Sequence, residues 1–253
     1  MIKFSLFLLA LVLSVSLSAA PSREAFALEE RQVSGVPLDA FEWGDANLTI
    51  ELWARSPMIF SPVSMDFDAQ GRLWLTEGID YQRGLRTEGG RSIIVLEDKD
   101  WDGKADSSHV FVTDPDIRHA ALGIAVFDNQ IVLSSTPSII VYTDVNRNAV
   151  FDEGIDKREV FLTGFRDASH DHTLHAVVGA PSGQWHFSYG NRGADIRTKD
   201  GRHHISGCYY GYSNGIGKKS SDGEVYVGGM TMRVNPDGTG LTPTGENMRN
   251  SHD

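Results

Sequence analysis

Three loops of this chain gather side chains able to move protons or hold anions. They carry Arg118 and His119; His170, Asp171 and His172; and Arg249, Asn250 and His252. Imidazoles titrate near neutral pH and suit proton transfer, while guanidinium groups hold anions through a planar fork of donors. The middle loop opens residues 171–193, DHTLHAVVGAPSGQWHFSYGNRG, a short apolar run, a Pro-Ser-Gly turn and a second run ending in Gly-Asn-Arg-Gly. Such a hairpin is a rigid scaffold with titratable groups at its mouth, where chemistry is presented rather than buried. Any one of these histidines or arginines reads as an ordinary loop residue. Three equivalent loops all carrying them point to a functional face.

A second group of residues is acidic. Asp98, Asp100, Asp102 and Asp106, with Gly103 at the bend, have the Asp-x-Asp-x-Asp-Gly spacing of a hard-cation loop. His109 stands where an EF-hand would place its bidentate glutamate. Asp144, Asn146, Asn148 and Asp152 repeat the spacing with fewer charges, so calcium (Ca2+) is expected to bind the first loop more tightly than the second. Bound calcium would tie down a turn that otherwise repels itself. The alternative is a pair of solvated hairpin turns.

Loops of this kind need strands to position them, and the chain reads as all-β. Short runs rich in Val, Ile, Phe and Trp are broken by Gly, Asp, Asn and Pro turns, with no sustained helical period after the N-terminal segment. The runs also recur. A hairpin at 63–78 returns at 123–136 and 175–190; a strand with an acidic turn at 92–103 returns at 138–149 and 231–238; a fourth strand at 109–114 returns at 159–164. Four short strands recurring at roughly 45–50 residues mark a β-propeller blade, whereas a β-sandwich predicts no such repeat of turn chemistry. The expected fold is an all-β β-propeller, here an incomplete ring of about three to four blades spanning 28–253 and truncated at its C-terminal side, part of a longer protein.

In an up-and-down blade, the loops leading into the first strands share a face with the connections between second and third strands. The leading loops are 115–121, 164–174 and 245–253, so their histidines and arginines are expected to converge near the central axis. Two longer connections, 78–91 and 191–229, join them there. The second carries His203, His204, Tyr209, Tyr210 and Tyr212, and reads as a substrate wall, a mobile lid or a disordered insertion. The acidic loops fall on the opposite face, which makes them structural.

The N-terminus reads as an address. Lys3, an apolar run at 4–17 and small residues before a cleavage point near 20 or 27 make residues 1–27 a signal peptide. The chain is therefore expected to be exported, to a bacterial periplasm or the exterior, with no transmembrane segment. A single cysteine, Cys208, excludes an internal disulfide and a haem c attachment in this chain. A net charge of −11 argues against nucleic acid and anionic membranes as partners.

The motifs also carry a family likeness. WLTEG (74–78), the DHTLH hairpin, SDGEVYVGG (221–229), RVNPDGTGL (233–241) and MRNS (248–251), in that order, resemble the N-terminal propeller of the membrane-bound dehydrogenases of planctomycetes and verrucomicrobia, the PVC-type haem-binding protein family. That likeness covers nearly all of the chain beyond the signal peptide. It implies a large exported protein that often continues into a helical-repeat region and a haem c domain. More distantly, the chain is similar to the soluble pyrroloquinoline-quinone (PQQ) sugar dehydrogenases, which are six-bladed propellers. In those enzymes a histidine takes the substrate hydroxyl proton while hydride passes to the quinone. The resemblance puts His172 in that role with Asp171 beside it, and sets Arg249 and Asn250 against the quinone. Arg118, next to His119, stands where the family carries a quinone-contacting glutamine. The turn 180–183 reads Ala-Pro-Ser-Gly where Gly-Pro-Asp-Gly is usual, and ligands for the cofactor's own calcium would lie beyond residue 253.

Three functions follow. The first is a quinoprotein-like dehydrogenase that oxidises a sugar or alcohol, with His172 as general base, Asp171 orienting the ring and Arg118 or Arg249 holding an anionic cofactor; electrons would pass to a c-type cytochrome. The second is a non-catalytic, calcium-braced scaffold that binds carbohydrate or protein. The third is a lactonase-type hydrolase, which needs carboxylates and an asparagine ringed around the axis where this chain has His and Arg.

Overall fold

The computed structural model describes residues 38–42, 44–78, 90–117, 119–166, 172–208 and 217–250. Apart from one 3-10 turn at Leu38–Ala40, the regular structure among the described residues is all strand. The first blade comprises β1 (Pro62–Phe67), β2 (Leu73–Glu77), β3 (Arg91–Glu97) and β4 (Ser107–Asp114), and the second comprises β5 (Gly123–Phe127), β6 (Gln130–Ser135), β7 (Ser138–Thr143) and β8 (Lys157–Phe165). The chain then forms β9 (Leu174–Gly179), β10 (Trp185–Tyr189), three short strands β11 (Ala194–Arg197), β12 (His204–Cys208) and β13 (Tyr226–Val227), then β14 (Gly229–Val234) and β15 (Thr242–Met248). Sheets ordered β1-β2-β3-β4 and β9-β10-β14-β15 are two of the blades, each antiparallel throughout. The fold is a β-propeller arc.

Burial explains why the middle strands are apolar without alternation. Every residue of β2 is buried, as are Ile93, Ile94, Val95 and Leu96 of β3 and Ile139, Ile140, Val141 and Tyr142 of β7. A blade flanked on both sides hides both faces of its middle strands, so an alternating pattern would bury polar groups. Trp74 and Phe111 of the first blade pack against Ile131, Leu133 and Tyr142 of the second. On the second blade's other face, Phe161 and Phe165 pack against Trp185 and Phe187 of the third. The far side of the first blade is covered by the segment before it, through Trp53, Met58 and Ile59.

Polar stitches fix how the blades sit. On the inner strands, Ile124 N–H donates to Ser64 Oγ at 3.1 Å and Val126 N–H to Asp66 Oδ2 at 2.8 Å, so β1 docks beside β5 through side chains. Thr76 Oγ1 donates to the Ala121 carbonyl at 2.8 Å. At the outer edge Asp114 of β4 is clamped from the second blade: it accepts from the Tyr142 hydroxyl at 2.5 Å and from Arg158 Nε at 2.5 Å.

Where it is described, the connection 191–229 forms paired strands rather than a disordered insertion. Its strands extend the second blade into a seven-stranded sheet ordered β13-β12-β11-β8-β7-β6-β5. β11 lies antiparallel to β8, with Ala194 opposite Phe165 and Arg197 opposite Thr163; β12 follows antiparallel and β13 parallel. Gly164 makes the close approach possible: a Cβ there would lie 2.0 Å from the Asp195 carbonyl oxygen, and its φ of +107° favours glycine. Ile196 and Ile205 are buried beside Met230, and Lys218 pairs with Asp195. The insertion from the third blade thus caps the outer edge of the second. Tyr209, Tyr210 and Tyr212 lie outside the described residues.

Candidate functional site

The second and third leading loops meet at the mouth of the β9–β10 hairpin. His172 stands two residues ahead of β9, and the turn 190–193 follows β10 directly. That turn is bonded to His172 through the main chain: Gly190 N–H donates to the Thr173 carbonyl at 2.7 Å, and Arg192 N–H to the His172 carbonyl at 3.2 Å. Residue 190 must be small, because a Cβ there would lie 2.6 Å from the His172 carbonyl carbon. The same turn reaches the third leading loop, with Asn191 N–H donating to the Arg249 carbonyl at 2.8 Å.

One side-chain contact sets the chemistry of the imidazole. His172 Nδ1 lies 2.9 Å from Asn191 Oδ1. A carboxamide oxygen only accepts, so Nδ1 carries a proton. The half-buried His172 is therefore held in one ring orientation, with Nε2 the nitrogen not used by Asn191. Of the other expected residues, Arg249 is exposed, Asn250 half-buried and His119 buried at 7% exposure. His119 is thus not an open loop residue. Asp171, Arg118, His170 and His252 lie outside the described residues.

Two further histidines are taken up by structure. His175 is buried at 1% exposure. His204 uses both ring nitrogens on the insertion, with Nδ1 3.0 Å from Ser221 Oγ and Nε2 2.8 Å from the Lys219 carbonyl. Clefts of about 140 and 250 Å³ open elsewhere, between the first two blades at Arg72 and Asp144, and along the inner strands at Met65 and Val177. His172 lines neither.

The acidic loops lie at the opposite ends of the strands, after β3 and after β7. In the first, carboxylate oxygens of Asp98, Asp100 and Asp106 all lie within 4.8 Å of one another. Asp98 Oδ1 is buried and accepts no hydrogen bond from the described residues, while its Oδ2 accepts from Gly103 N–H at 3.0 Å. Hard oxygen donors converging on one point fit a calcium ion. Asp102 does not join them: its Oδ1 accepts from Lys104 N–H at 2.9 Å.

The second loop satisfies itself. The amides of Asn146 and Asn148 each donate to Asp152 Oδ2 at 2.7 Å, and Asp144 accepts from the main-chain N–H groups of Asn148 and Ala149. Those two amides hold the Asp152 carboxyl below the usual range. Asn146 and Asn148 therefore turn their amide hydrogens, rather than their oxygens, toward Asp152.

Sequence reading missed Asn191, Arg192 and Arg166. Arg166 joins the cluster by donating its N–H to the Gly193 carbonyl at 3.2 Å. The only signal was the Gly-Asn-Arg-Gly ending of β10, which reads equally well as plain turn chemistry.

Comparison with known proteins gives a family. The family model described as "Domain of unknown function (DUF7133)" matches residues 40–240. No curated protein matches the chain. Among solved structures, the chain is similar to the Trichoderma reesei Carbohydrate-Active Enzymes Family AA12 protein at 16% identity and TM-score 0.39, covering 56% of this chain and 32% of that one. It is also similar to virginiamycin B lyase from Staphylococcus aureus at 13% identity and TM-score 0.34, covering 72% of this chain and 55% of that one. The chain thus spans about a third of the first structure and about half of the second.

Proposed function

The chain belongs to the DUF7133 family, and we propose that the face holding His172 is the reaction site of an exported, quinoprotein-like dehydrogenase acting on a sugar or alcohol. The observation that carries this reading is the 2.9 Å bond from His172 Nδ1 to the Asn191 carbonyl oxygen. With Nδ1 donating to that oxygen, Nε2 is the nitrogen to which this reading gives the proton. Oxidation of a secondary alcohol removes one proton from oxygen and one hydride from carbon. His172 takes the proton; the C–H electron pair leaves with the hydride, and the carbonyl product forms. Pyrroloquinoline quinone, when bound, supplies the hydride acceptor. Arg118, Arg249, Asn250 and His119 are the residues assigned to hold it; exposed Arg249 and half-buried Asn250 are donors suited to its carboxylates. Electrons would then leave to a c-type cytochrome.

A calcium-braced binding scaffold is the second reading. The converging carboxylates of Asp98, Asp100 and Asp106 favour it, because they fit a cation without involving the His172 face. A lactonase-type hydrolase has less support, since the described carboxylates of the leading loops, Asp116 and Glu246, are engaged by Arg158 and by the Val227 N–H.

The deciding experiment follows dye reduction by the full chain, supplied with the quinone and calcium, over a panel of sugars and alcohols. Turnover that requires the quinone and disappears in His172→Gln supports the dehydrogenase. A well-folded protein that binds sugar but never reduces the dye leaves the scaffold.

A further inference from the structure

The end of the arc away from His172 carries a cleft of its own, and we infer that it binds a neutral sugar ring of a polysaccharide. The turns after β1 and β5 and the loop after β7 enclose about 140 Å³ there. Trp74 and Ile131, each 1% exposed, give it an apolar floor. Gln70, Arg72, Asn129 and the Asp128–Arg147 ion pair also line it. Beside it stands Trp101, at 76% exposure the most exposed large hydrophobic side chain among the described residues. The indole packs on the β1–β2 turn: a Cβ on Gly71 would lie 2.9 Å from Trp101 Cη2. The two neighbours of Gly71 in the chain, Gln70 and Arg72, line the cleft, so ring and cleft share one turn. An aromatic face carries negative charge density and attracts the C–H bonds of a pyranose laid on it.

Backbone strain gathers at the same place. Trp101, Asp128 and Arg147 have φ of 61°, 57° and 61°, three of the six non-glycine residues with positive φ among those described. Tryptophan and arginine seldom adopt that region, and such strain clusters where side chains are held for a ligand. The charges then decide the class of ligand. Arg72 pairs with Asp68 at 2.6 Å, and Arg147 donates to both oxygens of Asp128 at 2.7 and 2.6 Å. Asp144 accepts from the main-chain N–H groups of Asn148 and Ala149. The charged groups on the cleft are thus engaged within the protein, and an ionic ligand finds no spare counter-charge there. What stays open is carboxamide. Asn129 donates through Nδ2 to the Asp144 carbonyl at 3.0 Å. Its Oδ1 and the side chain of exposed Gln70 make no hydrogen bond with the described residues. A carboxamide offers both donor and acceptor, which matches the hydroxyl groups of a sugar.

The test is calorimetric titration of the full chain, in calcium-containing buffer without quinone, with cellohexaose, mannohexaose, xylohexaose, maltohexaose and an oligogalacturonate. The expected result is that at least one neutral hexaose binds and quenches tryptophan fluorescence, while the oligogalacturonate does not bind. Trp101→Ala should weaken that binding by at least about tenfold and Trp101→Phe by less. Gln70→Ala should weaken it too, with thermal melting showing each variant folded. His172→Gln should bind as the parent chain does. Binding lost in His172→Gln but unchanged in Trp101→Ala puts the sugar at the reaction site and overturns the inference. Failure of every neutral hexaose to bind overturns it as well, as does tighter binding of the oligogalacturonate. Binding that needs Trp101 and survives without His172 upholds the inference whether or not any dye is reduced, so the dehydrogenase reading stands or falls by itself.

Discussion

Asn191 Oδ1 sits 2.9 Å from His172 Nδ1, two residues 19 apart in sequence that meet because β9 and β10 pair as a hairpin. The acceptor is an amide, so the ring gains an orientation and a tautomer without gaining a counter-charge. Replacing Asn191 with alanine should lower turnover about 10–100-fold while changing KM little, as loss of a group that orients a reacting residue does. Asn191→Asp should recover much of the rate. Its negative charge would raise the basicity of His172, so the acidic limb of the kcat profile should move to higher pH. An alanine variant with a normal rate would show that the bond is only structural.

His172→Gln removes the base and keeps the side-chain size. Turnover should fall by at least about 100-fold, with unfolding free energy within about 0.5 kcal/mol of the parent protein, since the residue is half-buried and outside the described core clusters. Steady-state kinetics beside a urea melt separates the two effects.

Asp114 predicts an acid limit. Burial pushes its carboxyl up, but hydrogen bonds from Arg158 and Tyr142 outweigh that and hold it below the usual carboxylate range. A group depressed in the folded state contributes stability that is present above its unfolded value, about pH 4, and is lost as pH falls through the lower folded value. The blade-to-blade clamp should therefore weaken below about pH 4. Asp114→Asn should cost about 2 kcal/mol at pH 7, less than for a fully buried pair because the Arg158 side chain is 29% exposed. It should also flatten the stability profile in acid, as denaturant melts at stepped pH would record. The Tyr142 phenol is pushed up by burial and by Asp114, and should stay protonated in the folded protein through the range where ordinary tyrosines ionise.

Calcium should stabilise through one loop only. At about 100 times its Kd the ion would add about 2.7 kcal/mol, and Asp98→Asn should abolish the rise in Tm. Asp152→Asn should leave it intact, because Asn146 and Asn148 already occupy that carboxylate. Equal loss in both variants would put the cation in the wrong place.

Much of the fold was legible because the middle strands announce themselves. Runs such as Ile93–Leu96 and Ile139–Tyr142 are buried on both faces, and their repetition with the same turns reveals blades. The facing of the loops followed from strand order alone. The β11–β13 insertion was not legible, since Ala194–Arg197 and Tyr226–Val227 are short and their pairing is set by main-chain geometry against a distant edge strand. In the second acidic loop, Asn146 and Asn148 could have offered oxygen to a metal or hydrogen to a carboxylate. Sequence contains both options, and only the folded turn shows that Asp152 takes the hydrogens. Asn191 was hidden for a related reason: its role depends on a partner across a hairpin rather than on its neighbours.

The edge strand β8 acquires its last partner only after the chain has begun a different sheet. The outer edge of the second blade is paired only by strands inserted within the third, and Ile196 and Ile205 are buried in the core cluster that the two blades share. Residues from β5 to β15 therefore behave as one cooperative unit, and amide exchange should protect them together. The first blade, held to its neighbour by side-chain stitches and a clamp rather than by a shared strand, is the piece able to open separately. Recombination between blades has a clean joint before Gly123 and none between Phe165 and Gly229.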